Sequence, residues 1–128
     1  MIKTTIIKKI KPAFADERGI IANILDESIN HVAIITSKAG SIRGNHYHPK
    51  QIQYVYLVKG KYENISKGLN NKNAKIESKI IKLGTLVITA PMVAHAMRFL
   101  EDSIILNLTT DNRDSNKFSK HTKKYKLI

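Results

Sequence analysis

The sequence predicts an all-β domain. Apolar residues come in short runs rich in β-branched and aromatic side chains, many of them alternating with polar residues, and turn residues separate the runs. No stretch repeats apolar residues at helical spacing over the roughly ten positions a stable helix needs. With 128 residues, 42% of them hydrophobic, the chain fits one domain with a buried core. Strands of this kind build a single small antiparallel β-barrel or jelly roll.

Taken in order, 2–8 (IKTTIIK) is rich in Ile and Thr, and Asp16-Glu17-Arg18-Gly19 supplies turn chemistry ahead of 20–25 (IIANIL). The run 31–36 (HVAIIT) ends at Lys38-Ala39-Gly40, and 41–47 precedes a turn at Pro49-Lys50. Next, 53–59 (QYVYLVK) alternates up to Lys59-Gly60, and 61–66 (KYENIS) leads to Gly68-Leu69-Asn70-Asn71. The strand 75–82 (KIESKIIK) stops at Leu83-Gly84, 85–89 (TLVIT) stops at Ala90-Pro91, and 95–100 (HAMRFL) and 103–109 (SIILNLT) complete the set. Residues 67–78 read as a wide polar hairpin loop. The barrel spans 1–110. A lysine-rich tail follows at 111–128, in which only Phe118, Tyr125, Leu127 and Ile128 can pack; it is expected as a mobile end or as an arm on a partner subunit.

Composition narrows the chemistry. Without cysteine there is no disulfide, thiolate ligand or thiol nucleophile, so any metal must take nitrogen and oxygen ligands. Lys3, Lys8, Lys9 and Lys11 interrupt the N-terminal apolar run, and no run is long enough to span a bilayer, so the cytoplasm is the expected compartment. A net charge of +12 favours anionic partners such as phosphates, while neither a recognition helix nor an aromatic platform points to specific nucleic-acid binding.

The candidate chemistry lies in "SIRGNHYHPKQIQYVYLVKG", residues 41–60. His46 and His48 stand two apart, so a strand projects both from one face and Tyr47 from the other; Gln53 shares its face with Val55 and Leu57, leaving Tyr54 and Tyr56 opposite. His95 opens a later strand from which Arg98 points outward. Neighbouring strands bring inward side chains together, so these three histidines and one amide can converge. Such a cluster suits a divalent metal (zinc, iron, nickel, copper or manganese), with Gln53 as an optional fourth ligand, or equally an acid/base pair. His31 and His121 have no spacing partner and read as surface or structural residues.

The spacing Gly40, His46-x-His48, Gln53, Gly60 resembles the first motif of the cupins, and Gly84, Ala90, His95, Phe99 follows the register of the second. Gln53 stands where cupins usually have Glu, Ala90 where they have Pro, Met92 where they have Gly, and Phe99 where they have Asn. Asp16-Glu17-Arg18-Gly19, Arg43-Gly44-x-His46-x-His48 with Gln53, and Ala90-Pro91-Met92-Val93-x-His95 are similar to the nucleotide-sugar branch, which holds dTDP-4-dehydrorhamnose 3,5-epimerases and dTDP-4-keto-6-deoxyhexose 3,4-ketoisomerases.

That resemblance implies a metal-independent isomerase or epimerase of a nucleotide-diphosphate sugar, serving cell-surface polysaccharide synthesis and working as a homodimer, with strand 2–8 a candidate for exchange. It implies proton transfer by His46 and His48 and a substrate contact by Arg43. Arg18 becomes a candidate for the diphosphate, and Gln53 and His95 for substrate binding. Two other readings of the residues stay open: a metal-binding cupin that uses His46, His48, His95 and Gln53, and a sugar-binding cupin without turnover.

Overall fold

The computed structural model describes residues 5–110 and 122–128; residues 2–4 of the first expected strand, Phe118 and His121 lie outside them. In chain order the strands are β1 (Thr5–Lys9), β2 (Phe14–Asp16), β3 (Gly19–Ile21), β4 (His31–Ser37), β5 (Ile42–Tyr47), β6 (Gln53–Lys59), β7 (Tyr62–Gly68), β8 (Glu77–Ile81), β9 (Thr85–Thr89), β10 (Val93–Phe99), β11 (Ser103–Thr109) and β12 (Lys123–Lys124). One five-stranded sheet runs β1-β9-β6-β11-β4 and a second runs β12-β5-β10-β7-β8. Every pairing is antiparallel, and β1 pairs with β9 of its own chain. Among the described residues no ladder joins β1 to β8 or β4 to β5, and the architecture is a two-sheet jelly roll open at those edges.

Several boundaries differ from the sequence expectation, among them the start of β10 at Val93 rather than at His95. The run 20–25 is strand only over Gly19–Ile21, where it folds back on Phe14–Asp16. Asp16 closes that hairpin by accepting from the Arg18 backbone N–H at 2.9 Å, and beyond Ile21 the polar Asn23, Asp26 and Ser28 break the strand pattern. The expected wide loop is shorter, because β7 runs to Gly68 and β8 begins at Glu77. The described part of the tail, 122–128, lies along β5 of the same chain, placed there by β12 pairing with Tyr47 and His46.

Alternation sorts the interior into layers. At one end Leu57 and Ile105 from the first sheet meet Tyr62, Ile81 and Phe99 from the second, all at 1% exposure or less, with the Tyr62 and Phe99 rings 5.5 Å apart. Burying each such side chain contributes about 1.5–3 kcal/mol. Val55, Val87 and Met97 form the next layer. At the other end the inward residues turn polar: Thr5, Thr89, Gln53, Thr109 and His31 in the first sheet, and His46, His95, Ser66 and Glu77 in the second, each set in continuous cross-strand register. The apolar layers form a floor beneath this polar end.

Candidate active site

The histidines face the interior because of one extra residue in β5. Met97 pairs with Arg43 and His95 with His46, so two residues of β10 span three of β5 and the register shifts there. Gly44 (φ 89°) and Asn45 (φ 56°) absorb the insertion in the left-handed region, which glycine and asparagine tolerate best. Without the bulge, alternation from the inward Arg43 would turn His46 and His48 outward. Gly44 also lets β5 and β10 approach closely: a Cβ built there would lie 2.8 Å from the His95 carbonyl oxygen.

Three sequence-predicted residues converge. His46, His48 and His95 each offer a ring nitrogen, all within 4.8 Å of one another, and His46 and His95 are edge to face with ring centroids 4.6 Å apart. His95 Nδ1 faces the Val93 carbonyl at 3.3 Å, an acceptor only, so this nitrogen carries the ring hydrogen. His95 Nε2 therefore accepts, and His46 Nε2 donates to it at 3.0 Å. On the far side of the cluster, the Gln51 amide donates to His48 Nδ1 at 3.0 Å and the Thr122 hydroxyl lies 3.2 Å from the same atom.

Burial, then the neighbouring His46 and His48, hold His95 well below the usual histidine range, so it is neutral in the folded protein. The unfolded chain binds this proton more tightly. Stability attributable to His95 is therefore intact above its ordinary value of 6.5 and is lost as pH falls through and below it. Urea midpoints between pH 8 and pH 5 should decline on the acid side, and the decline should be shallower in His95→Gln.

The other predicted residues are placed differently. Gln53 is 6% exposed and donates to Asn107 Oδ1 at 2.6 Å; its Oε1 and Asn107 Nδ2 have no partner among the described residues. Arg43 sits at the edge, where its Nε donates to Ser37 Oγ at 2.7 Å and a terminal nitrogen donates to the Thr36 carbonyl at 2.9 Å, tying β5 to β4. Arg18 lies on the separate β2–β3 hairpin with its side chain 79% exposed, bound by Asp16, whose carboxyl it holds below the usual range; it is not in the histidine cluster. His31 is half-buried and faces inward opposite Thr109.

Sequence reasoning missed Gln51, Asn107 and Thr122. Asn107 carried a usable signal, since it is a polar residue on the inward alternation of Ile105 and Thr109. At the β1–β8 gap a cavity of about 330 Å³ is lined by Thr5, Ile7, Asn64, Ser66, Glu77 and Lys79. Ser66 is the cross-strand neighbour of His95, so this polar wall continues the histidine row.

No protein-family model and no curated protein matches the chain. Solved structures do. A double mutant of the 3,4-ketoisomerase QdtA of Thermoanaerobacterium thermosaccharolyticum, solved with TDP, aligns at TM-score 0.70 and 25% identity over 91% of this chain and 86% of its own. The 3'-monoepimerase ChmJ of Streptomyces bikiniensis, solved with dTDP-quinovose, aligns at TM-score 0.77 and 17% identity over 90% and 68%. The dTDP-4-dehydrorhamnose 3,5-epimerase of Sulfolobus tokodaii aligns at TM-score 0.72 and 22% identity over 93% and 75%. The chain therefore has the cupin fold of these nucleotide-sugar ketoisomerases and epimerases.

Proposed function

We propose that the protein is an isomerase or epimerase of a nucleotide-linked 4-keto-6-deoxysugar. The observation that carries this reading is the interior cluster of His46, His48 and His95, in a fold shared with enzymes of this class. Moving the keto group from C4 to C3 requires a base to take the C3 proton, giving an enediolate whose O4 gains a proton, and an acid to return a proton to C4 as O3 loses its own. His48 is assigned as the base and His46 as its proton-transfer partner, because imidazole is the side chain suited to taking and returning protons near neutral pH. The neutral His95 orients His46. The cavity at the β1–β8 gap takes the remainder of the substrate, with Asn64 and Ser66 toward the sugar and Lys79 toward the diphosphate.

The surrounding reading is of a cytoplasmic homodimer in cell-surface polysaccharide synthesis. Phe14, Ile20 and Ile21 on the β2–β3 hairpin and Val32 and Ile34 on the outer face of β4 are exposed apolar surface that a second copy would cover. Among the described residues no helix is long and apolar enough to cross a membrane.

Proton NMR of dTDP-4-keto-6-deoxyglucose in deuterated water tests the chemistry. Exchange at C3 with a new 3-keto product is expected for a ketoisomerase, and exchange at C3 and C5 for an epimerase. Absence of exchange at either carbon would reject this substrate class.

A second reading, a divalent-metal site, is favoured by the convergence of three imidazoles. The donor set fits zinc, iron, nickel or manganese in number, and the ion would supply Lewis acidity to a carbonyl. It is a neutral set without a carboxylate, and the His46 Nε2 hydrogen is engaged with His95, which is why the metal-independent reading comes first. One metal per chain surviving dialysis of untagged protein would reverse that order.

A further inference from the structure

We propose that the C-terminal segment 122–128 is a working part of this site, with Thr122 a positioning residue that holds the His48 imidazole at its Nδ1. The inference rests on the reading of His48 as a proton-transfer group. Its ground is that two side chains from different parts of the chain meet one ring nitrogen: Gln51 from the loop after β5, at 3.0 Å, and Thr122 from the end of the chain, at 3.2 Å. An imidazole anchored at Nδ1 has its Nε2 aimed in one direction. One free to swing about χ2 does not.

The two anchors differ in chemistry, and the difference fits a group that both takes and returns a proton. The Gln51 amide nitrogen only donates, so in the orientation observed it matches a ring whose Nδ1 is bare and whose hydrogen is on Nε2. A neutral ring about to take a carbon-bound proton at Nε2 has the opposite arrangement, with its hydrogen on Nδ1 and an acceptor facing it. The Thr122 hydroxyl can donate or accept, so it serves both forms. Valine at this position would leave the base form with its Nδ1 hydrogen facing an amide donor.

The segment is built in, not merely adjacent. Lys123 and Lys124 pair with Tyr47 and His46, and the Tyr125 N–H donates to the Asn45 carbonyl at 2.8 Å. Asn45 Oδ1 accepts from the N–H groups of Leu127 and Ile128 at 2.8 and 3.1 Å, and its Nδ2 donates to the Ile128 carbonyl at 3.1 Å. The Tyr125 ring packs edge to face on Tyr47, with centroids 6.4 Å apart. Asn45 is also the bulge residue that turns His46 and His48 inward, so one side chain docks the segment at the point where the backbone aims the histidines.

Steady-state kinetics and ¹⁵N NMR of the histidine side chains test the proposal on the full chain. Thr122→Val is expected to lower kcat about tenfold with KM changed less than twofold, the scale of one lost hydrogen bond in the transition state, and Thr122→Ser to restore it. Asn45→Gly keeps the left-handed backbone, removes the three side-chain bonds to the segment, and is expected to lower kcat in the same way. In ligand-free protein the His48 imidazole nitrogens shift in Thr122→Val while those of His95 do not. Unchanged kcat and unchanged His48 signals in Thr122→Val would overturn the proposal, as would equal losses in the Val and Ser variants. If the wild-type protein turns over no sugar nucleotide, the functional reading falls and the NMR comparison alone decides the positioning role.

Discussion

Replacing His48 with alanine lowers turnover of a 4-keto-6-deoxysugar nucleotide by about 10²–10⁴-fold, the usual share of a positioned acid or base. The effect is confined to chemistry. His48 is 4% exposed but lies in the polar layer, apart from the Leu57, Tyr62, Ile81, Phe99 and Ile105 floor that supplies most of the burial energy. The variant should therefore keep its β-type circular dichroism and a cooperative melt. The measurement is C3 deuterium incorporation with metal-free protein. A rate within threefold of wild type would remove His48 from the base role, and His46 would become the group to replace next.

Gly44→Ala should cost about 2–4 kcal/mol of stability and most of the activity. Two effects add. The backbone at φ 89° is one that L side chains rarely adopt, and the new Cβ meets the His95 carbonyl oxygen at 2.8 Å and the Ala96 Cα at 3.0 Å. Both neighbours are backbone and cannot rotate away. Relief requires β5 and β10 to part where His46 Nε2 meets His95 Nε2. Gly40→Ala is the matched control, because φ is 88° there and nothing lies within 4 Å of the added methyl. Its cost is the backbone contribution alone, about 1–2 kcal/mol, with activity retained. Urea midpoints and initial rates for the pair separate strain from collision, and equal losses in both variants would refute the collision argument.

Much of this was legible in the residues. Runs of β-branched and aromatic residues bounded by turn residues marked β4, β6, β9 and β11 almost to their ends. The spacing of His46, His48 and His95 indicated a shared interior, and the structure brings those three rings together. Arg18 was harder to place. Its turn was plain, but nothing local reveals that Asp16 binds the guanidinium within a separate hairpin. Gly44-Asn45 is a visible mark of irregularity, yet its meaning depends on the strand it lies against, and that pairing is long range. Thr122 and β12 were beyond reach for a similar reason. Lys123-Lys124 has no strand signal of its own and pairs because Asn45 anchors the residues that follow.

The order of the strands also governs when the site comes into being. In the first sheet β1 waits for β9, and β6 lies between β9 and β11, so neighbours in space are distant along the chain. Loops that long are slow to close, which puts such a topology on the millisecond-to-second scale typical of β-sandwiches. His46 meets His95 across a separation of 49 residues, and Thr122 reaches His48 across 74. During synthesis a ribosome-bound chain that has already formed the β7–β8 hairpin still lacks the residues that orient its histidines. Assembly of the histidine cluster is thus an end-of-folding event, and a refolding experiment should recover β-sheet signal before it recovers activity.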